Sequence, residues 1–249
     1  MHILVVNDDG PPSSRSPYVQ HLISELQAAG HIVSVVLPNR QRSWIGKSHL
    51  INEITHCTLS VNAGQDEWVL VSGTPAACVQ IALYHYFLDR GPVDLIISGP
   101  NFGQNASALF ALSSGTIGAA LEATLCRKRA VALSFDQPGS SNSTAVAATV
   151  QYGIRIVEAL LKQWPEDDGA LFYSVNMPVV EDVSQRKIIW TGISHNFWGA
   201  ESAFTEVEGS AGSRHFQWAQ NLDRLEEGTR GKHGGQDVSA LESGCVRYF

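Results

Sequence analysis

Two aspartates stand side by side in Asn7-Asp8-Asp9-Gly10, directly after the apolar run His2-Ile3-Leu4-Val5-Val6. Adjacent carboxylates in a crowded, partly desolvated place repel each other and resist ionisation. A hard divalent cation removes that cost, because Mg²⁺ takes one or two carboxylates, a few neutral oxygens and several waters. Asp8 and Asp9 offer the carboxylates; Ser43 and Asn101, from two other polar segments, offer neutral oxygens. A plainer reading competes, in which Asp9-Gly10 is a turn and Asp8 a capping group. A second chemistry is offered by Ser113-Ser114-Gly115-Thr116-Ile117-Gly118-Ala119-Ala120. Small residues opening a helix leave backbone N–H groups free for an anion such as phosphate, and Ser114 and Thr116 add hydroxyl groups. The competing reading there is a capped helix whose glycines permit close packing.

These segments need a scaffold to bring them together. Residues 2–7 read as a short, buried, β-branched strand. Ser16-Pro17 reads as a cap with proline at the first helical position, and Val19, Leu22, Ile23 and Leu26 recur at helical spacing until Gly30. A strand at 32–37 follows, stopped by Pro38, and completes a βαβ unit with a right-handed crossover. The alternation continues: strand 68–72, helix 75–88 capped at Thr74-Pro75, strand 94–98, a Gly/Asn/Ser-rich loop, helix 114–125, strand 130–135, helix 144–163 and strand 171–175. Strands alternating with helices predict an α/β fold with a doubly wound, mostly parallel sheet.

Beyond about residue 178 the pattern changes. A strand is expected at 187–191, and 192–237 read as hairpins and loops rich in Gly, Ser, Glu and aromatic residues. The expected organisation is one domain over 1–249, with a core to about 178 and an extension over 179–249 whose aromatic stretch, Trp190 to Trp218, suggests a homodimer. In an open parallel sheet, ligands gather beyond the carboxyl ends of the strands. Asn7–Gly10, Asn39-Arg40-Gln41-Arg42-Ser43 and Ser98-Gly99-Pro100-Asn101-Phe102-Gly103-Gln104-Asn105 all fall at such ends, and their convergence favours the metal reading over the turn.

Composition narrows the class. With 17 basic against 24 acidic residues the formal charge is −7, which lacks the basic footprint of a nucleic-acid-binding protein. No unbroken apolar run approaches the roughly 18 residues of a membrane span, and the first residues carry no secretory pattern, so a cytoplasmic location is expected. Cys57, Cys78, Cys126 and Cys245 are scattered without ligand spacing, which argues for reduced thiols rather than zinc. Ile45-Gly46-Lys47-Ser48 is not the end of a P-loop, since the first glycine of that motif would stand where Gln41 is. No dinucleotide fingerprint or nucleophile elbow is present. Of the nine histidines, His49 is the one expected nearest the site, and Arg40 and Arg42 either steer anions or lie in a solvated loop.

Taken in order, these blocks resemble the SurE family of survival-protein nucleotidases. The matching pieces are Ile3 to Gly10, Pro38 to Ser43 with Gly46, Ser48 and His49, Ser72-Gly73-Thr74-Pro75-Ala76, Ser98 to Asn105 and Ser114 to Ala120. Weaker echoes are Ser174-Val175-Asn176-Met177-Pro178 and Gln236-Asp237-Val238 with Gly244. The resemblance implies a Rossmann-like core with a C-terminal extension exchanged between subunits, and hydrolysis of nucleoside monophosphates. It implies a divalent cation, Mg²⁺ or Mn²⁺, at Asp8, Asp9, Ser43 and Asn101, and phosphate contacts from Asn105, Ser114, Gly115 and Thr116. The Pro11-Pro12 and Ser16-Pro17-Tyr18-Val19-Gln20 pieces look like the SurE-like domain of fungal P-body-associated proteins. Such proteins carry a tubulin–tyrosine-ligase-like second domain, which raises the expectation of a longer chain with partners in RNA-decay assemblies. Two departures stand out: the loop Pro11 to Pro17, expected beside the site, and an end at Phe249 where family members continue with a short strand.

The mechanism expected is attack on a phosphomonoester by a water made acidic by the cation, with Asp8 or Asp9 relaying a proton. A covalent aspartyl-phosphate at Asp8 is the enzymatic alternative, and a SurE-like binding or scaffold module with a weakened site is the non-enzymatic one.

Overall fold

The computed structural model describes residues 1–61, 67–136, 142–166, 172–198, 202–209, 212–220 and 237–248. The strands are β1 (His2–Val6), β2 (Ile32–Pro38), β3 (Cys57–Val61), β4 (Glu67–Val71), β5 (Leu95–Phe102), β6 (Ala130–Phe135), β7 (Tyr173–Met177), β8 (Ile188–Trp190), β9 (Phe204–Val207), β10 (His215–Trp218) and β11 (Val246–Tyr248). The helices are α1 (Val19–Ala28), α2 (Pro75–His85), α3 (Ser107–Ser113), α4 (Gly115–Leu125), α5 (Ser143–Lys162) and α6 (Asp237–Glu242).

Among the described residues, nine strands form one sheet in the order β3-β4-β2-β1-β5-β6-β7-β11-β8. The six strands from β4 to β7 in that order are parallel; β3 and β11 run antiparallel to β4 and β7. All five residues of β1 are buried, as a parallel strand covered on both faces requires. Side chains alternate across a strand, so Ile3 and Val5 join α1 and α5 in one core while Leu4 and Val6 join α2 and α4 in the other. The chain winds outward from β1 through β2 and β4, then returns to β5 on β1's other side. That reversal makes a topological switch point, and ligands bind at the carboxyl ends of strands beside it.

Helix α5, with 20 residues, is long and apolar enough to cross a membrane by length and composition. Its buried stripe, including Val150, Ile154 and Val157, packs on the sheet as the face of an amphipathic core helix. Outside the main sheet, β9 and β10 form an antiparallel hairpin of exposed residues, in keeping with the hairpins expected of the extension. Leu171 and Gln236, which the sequence reading used, lie outside the described residues.

Two expectations are corrected. Helix α1 starts at Val19 with Tyr18 at its cap position, so Ser16-Pro17 is not its cap. The Ser16 hydroxyl instead donates to the Gly10 carbonyl at 2.8 Å, and Tyr18 buries its ring against Phe102 and Phe135. The glycine-rich loop contains α3, opened by Ser107 at φ 69°. Near the chain end, β11 lies between β7 and β8, and the fully buried Arg247 in it meets Asp237 at 2.7 Å.

Candidate active site

Asp8 and Asp9 follow β1 at its carboxyl end, in a turn that Asn7 fixes by accepting from Gly10 N at 2.9 Å and donating to Gly10 O at 2.8 Å. Both aspartates are buried, Asp8 at 2% exposure and Asp9 at 4%. Asp8 Oδ1 accepts the Thr116 hydroxyl at 2.6 Å. The helix start expected to hold phosphate thus already cradles a carboxylate. Gly115 permits this approach: a Cβ there would lie 2.7 Å from Asp8 Cβ. Asp9 Oδ2 accepts Phe102 N at 2.7 Å.

Asn101 comes from the end of β5, where a bulge between Ser98 and Asn101 shifts the register against β6. Such an irregularity re-aims side chains beside a site. Gly99, at φ 125°, is required here, because a Cβ would stand 2.1 Å from the Leu133 carbonyl. The Asn101 amide donates to Gly103 O at 2.8 Å, which leaves Oδ1 toward Thr116 Oγ1, at 3.5 Å. Ser43 belongs to the loop after β2, which is held against the site because Arg42 N donates to Asp8 O at 2.7 Å. The Arg42 side chain donates to Ser72 O at 2.8 Å, so it anchors this loop.

These residues wall a cavity of about 550 Å³ lined by Asp8, Ser43, Asn101, Asn105, Ser114 and, on one side, Trp44 and Phe110. That volume lies within the range of small-molecule sites. Asn105 is fixed from below: its backbone N–H donates to Asn176 Oδ1 and its amide to Ser134 Oγ, each at 2.8 Å. Ser114 caps α4 by accepting Ile117 N at 3.2 Å, which keeps its own hydroxyl hydrogen available to the cavity. Gly115 and Thr116 stand behind Asp8 and do not line the cavity. No residue of the Pro11 to Pro17 loop lines the cavity, but Ser16 bonds Asn7 at 3.3 Å and Gly10 O at 2.8 Å, which sets that loop beside the aspartate turn. His49 points to Glu122 at 3.4 Å, and Lys47 to the same carboxylate at 2.5 Å, and neither lines the cavity. Trp44 and Phe110 were missed by the sequence reading.

Burial pushes the Asp8 carboxyl above its ordinary value despite the hydrogen bonds it accepts. Burial, and then the Asp8 charge, push Asp9 up to about 8. A pair in that state favours a cation that relieves the repulsion. Among the described residues no group of three or more His, Cys, Asp or Glu gathers as metal ligands. The oxygens that Asp8, Asp9, Asn101 and Ser43 would offer a cation are two carboxylates, an amide and a hydroxyl, all hard donors of the kind that suit Mg²⁺ or Mn²⁺.

Comparison with known proteins fits this geometry. The family profile described as "Survival protein SurE" matches residues 3–200. "Probable tubulin–tyrosine ligase PBY1" of Saccharomyces cerevisiae is 30% identical over 273 residues, covering 88% of this chain but 36% of that protein. The chain therefore spans about a third of that relative's length. "5'-nucleotidase SurE" of Ruegeria pomeroyi is 32% identical over 247 residues, covering 98% of this chain and 92% of that protein. The crystal structure of the SurE protein from Aquifex aeolicus superposes with a TM-score of 0.72 at 24% identity, covering 100% of this chain and 92% of that one, and so shares the Rossmann-like fold. With its profile match running through β1, the bulged β5 and the start of α4, the chain belongs to the SurE family.

Proposed function

We propose that this chain hydrolyses phosphomonoesters, with nucleoside monophosphates as the substrate class and a divalent cation as cofactor. Water cleaves the P–O bond, yielding the alcohol and inorganic phosphate. The observation that carries the reading is the buried Asp8–Asp9 pair at the switch point, with Asp8 in the wall of a cavity that Asn101, Ser43 and Ser114 also line. The relatives named 5'-nucleotidase support the substrate class.

Asp8, Asp9, Asn101 and Ser43 are the residues that would hold the cation. When bound, it supplies positive charge to the phosphoryl oxygens and acidifies a water molecule. Asp8 lines the cavity and Asp9 does not, so Asp8 is the carboxylate that moves a proton to or from the reacting oxygen. Thr116 fixes the rotamer of Asp8, and Phe102 N fixes Asp9. The Ser114 hydroxyl and the Asn105 amide orient the phosphoryl group and meet charge as it develops.

The test is phosphate release from p-nitrophenyl phosphate and a panel of nucleoside monophosphates in Mg²⁺, Mn²⁺ or chelator. Cation-dependent release from nucleotides is expected. No release from any of them would overturn the reading in favour of a binding module.

A further inference from the structure

The cavity's acidic end and its aromatic end have different chemistry. Trp44 immediately follows Ser43 and adopts φ 63°, a left-handed conformation that is costly for a bulky side chain. Its indole meets Phe110 at 5.5 Å, Trp218 at 5.5 Å and Trp198 at 6.0 Å between ring centroids. Trp198 and Trp218 also meet edge to face at 5.7 Å. The cluster is not closed over: Trp198 keeps 43% and Trp218 40% of its surface exposed. Trp44 and Phe110 are cavity walls in common with Asp8, Asn101 and Ser114. No lysine or arginine is among the described residues lining this cavity. Apart from Asp8, the one charged residue among the described residues of the lining is Asp136, so a neutral ring meets apolar and stacking contacts at the Trp44–Phe110 end.

We propose that Trp44 and Phe110, backed by Trp198 and Trp218, form a stacking subsite for the aromatic base of a nucleotide whose phosphate lies at Asp8, Asn101 and Ser114. The subsite rests on the proposed function and names how that site chooses its substrate. Stacking of a base on an aromatic side chain changes binding by roughly 5- to 150-fold. Bases all carry a π-face, so the subsite selects nucleotides over aliphatic phosphomonoesters without demanding one base.

Trp44→Gly removes the indole and suits the left-handed backbone, so the fold tolerates it; Trp44→Phe keeps an aromatic face, and Phe110→Ala removes the second wall independently. Two readouts separate the subsite from the chemistry. Calorimetric titration with adenosine and with ribose requires no turnover. The ratio of kcat/KM for adenosine monophosphate to that for ribose 5-phosphate reports base recognition during turnover. The expected result is adenosine binding without comparable ribose binding. Trp44→Gly and Phe110→Ala should weaken adenosine binding about tenfold and lower the kcat/KM ratio similarly through KM, while Trp44→Phe stays within about threefold of the wild type. If the wild type hydrolyses no phosphomonoester yet binds adenosine through Trp44, the phosphatase reading falls and the subsite stands. Hydrolysis of both phosphates with no base preference, or a Trp44→Gly protein whose adenosine affinity and kcat/KM ratio stay within twofold, would overturn the subsite.

Discussion

Replacing Asp9 with asparagine should stabilise the cation-free protein while removing its response to cation. In the folded chain Asp9 has a pKa of about 8 against an ordinary 3.8, raised by burial and then by the Asp8 charge. At pH 7 the native state must keep a proton that the unfolded chain releases. That gap of about three pH units, at ~1.4 kcal/mol each, penalises folding by on the order of 4 kcal/mol. Asparagine is neutral in both states, and its Oδ1 can retain the Phe102 N–H bond now made by Asp9 Oδ2 at 2.7 Å. Allowing for an imperfect fit, a gain of about 2–3 kcal/mol is expected, or roughly 5–10 °C in Tm for a chain of this size. The sign follows from the raised folded pKa. The stability carried by protonated Asp9 is complete below the unfolded value near 3.8 and is lost as pH rises through about 8. The Tm difference between variant and wild type should therefore widen over that window. Thermal unfolding by circular dichroism in chelator, from pH 4 to 8.5, measures it. With Mg²⁺ or Mn²⁺ the wild type should gain Tm and Asp9→Asn should not. A variant less stable than wild type at pH 7 in chelator, or a difference that does not change with pH, would refute the reasoning.

Gly115→Ala places a Cβ 2.7 Å from Asp8 Cβ and 3.0 Å from its Oδ2; overpacking of this kind destabilises by about 1–3 kcal/mol, and kcat should fall by more than about tenfold with the fold intact by circular dichroism. Asp237→Asn leaves the buried Arg247 without its carboxylate and should destabilise by about 3–5 kcal/mol in urea unfolding. Burial raises the Asp237 pKa, but the Arg247 charge and bonds from Ser194 and Ser107 outweigh it and hold the carboxyl below its ordinary value. The stability from that pair is present above the unfolded carboxyl pKa and is lost as pH falls through the folded one, a dependence that Asp237→Asn should lack. The hairpin β9–β10 exposes Phe204 at 51% and Phe216 at 52%, an apolar surface that favours self-association; light scattering should show a homodimer, which Phe216→Glu should shift toward monomer.

The alternation of apolar strands and periodic helices made the parallel sheet legible, because both depend on local patterning. The carboxyl-end loops were legible for the same reason: once strand order is set, topology places Asp8, Asp9, Ser43 and Asn101 at one edge. The misses share a different cause. Ser16 carries good capping chemistry, yet its hydroxyl bonds Gly10 O six residues back and leaves the cap position to Tyr18. Helix α3 starts where Ser107 N donates to Asp237 Oδ2 at 2.6 Å, a partner 130 residues away. β11 depends on the same aspartate through Arg247. The Thr116 hydroxyl donates to Asp8 Oδ1 across 108 residues, a contact that no local pattern announces. The Trp44–Phe110 wall joins the loop after β2 to α3, and no local spacing announces that contact.

The most direct test of the central claim is steady-state phosphate release from adenosine monophosphate by wild type and Asp8→Asn across a Mn²⁺ titration. Asp8 lies 2.6 Å from Thr116 Oγ1 and lines the cavity, so the account predicts saturable, chelator-reversible activity in the wild type. Asp8→Asn should lose at least about 10³-fold in kcat at every Mn²⁺ concentration. Near-normal, Mn²⁺-dependent turnover by Asp8→Asn would contradict it.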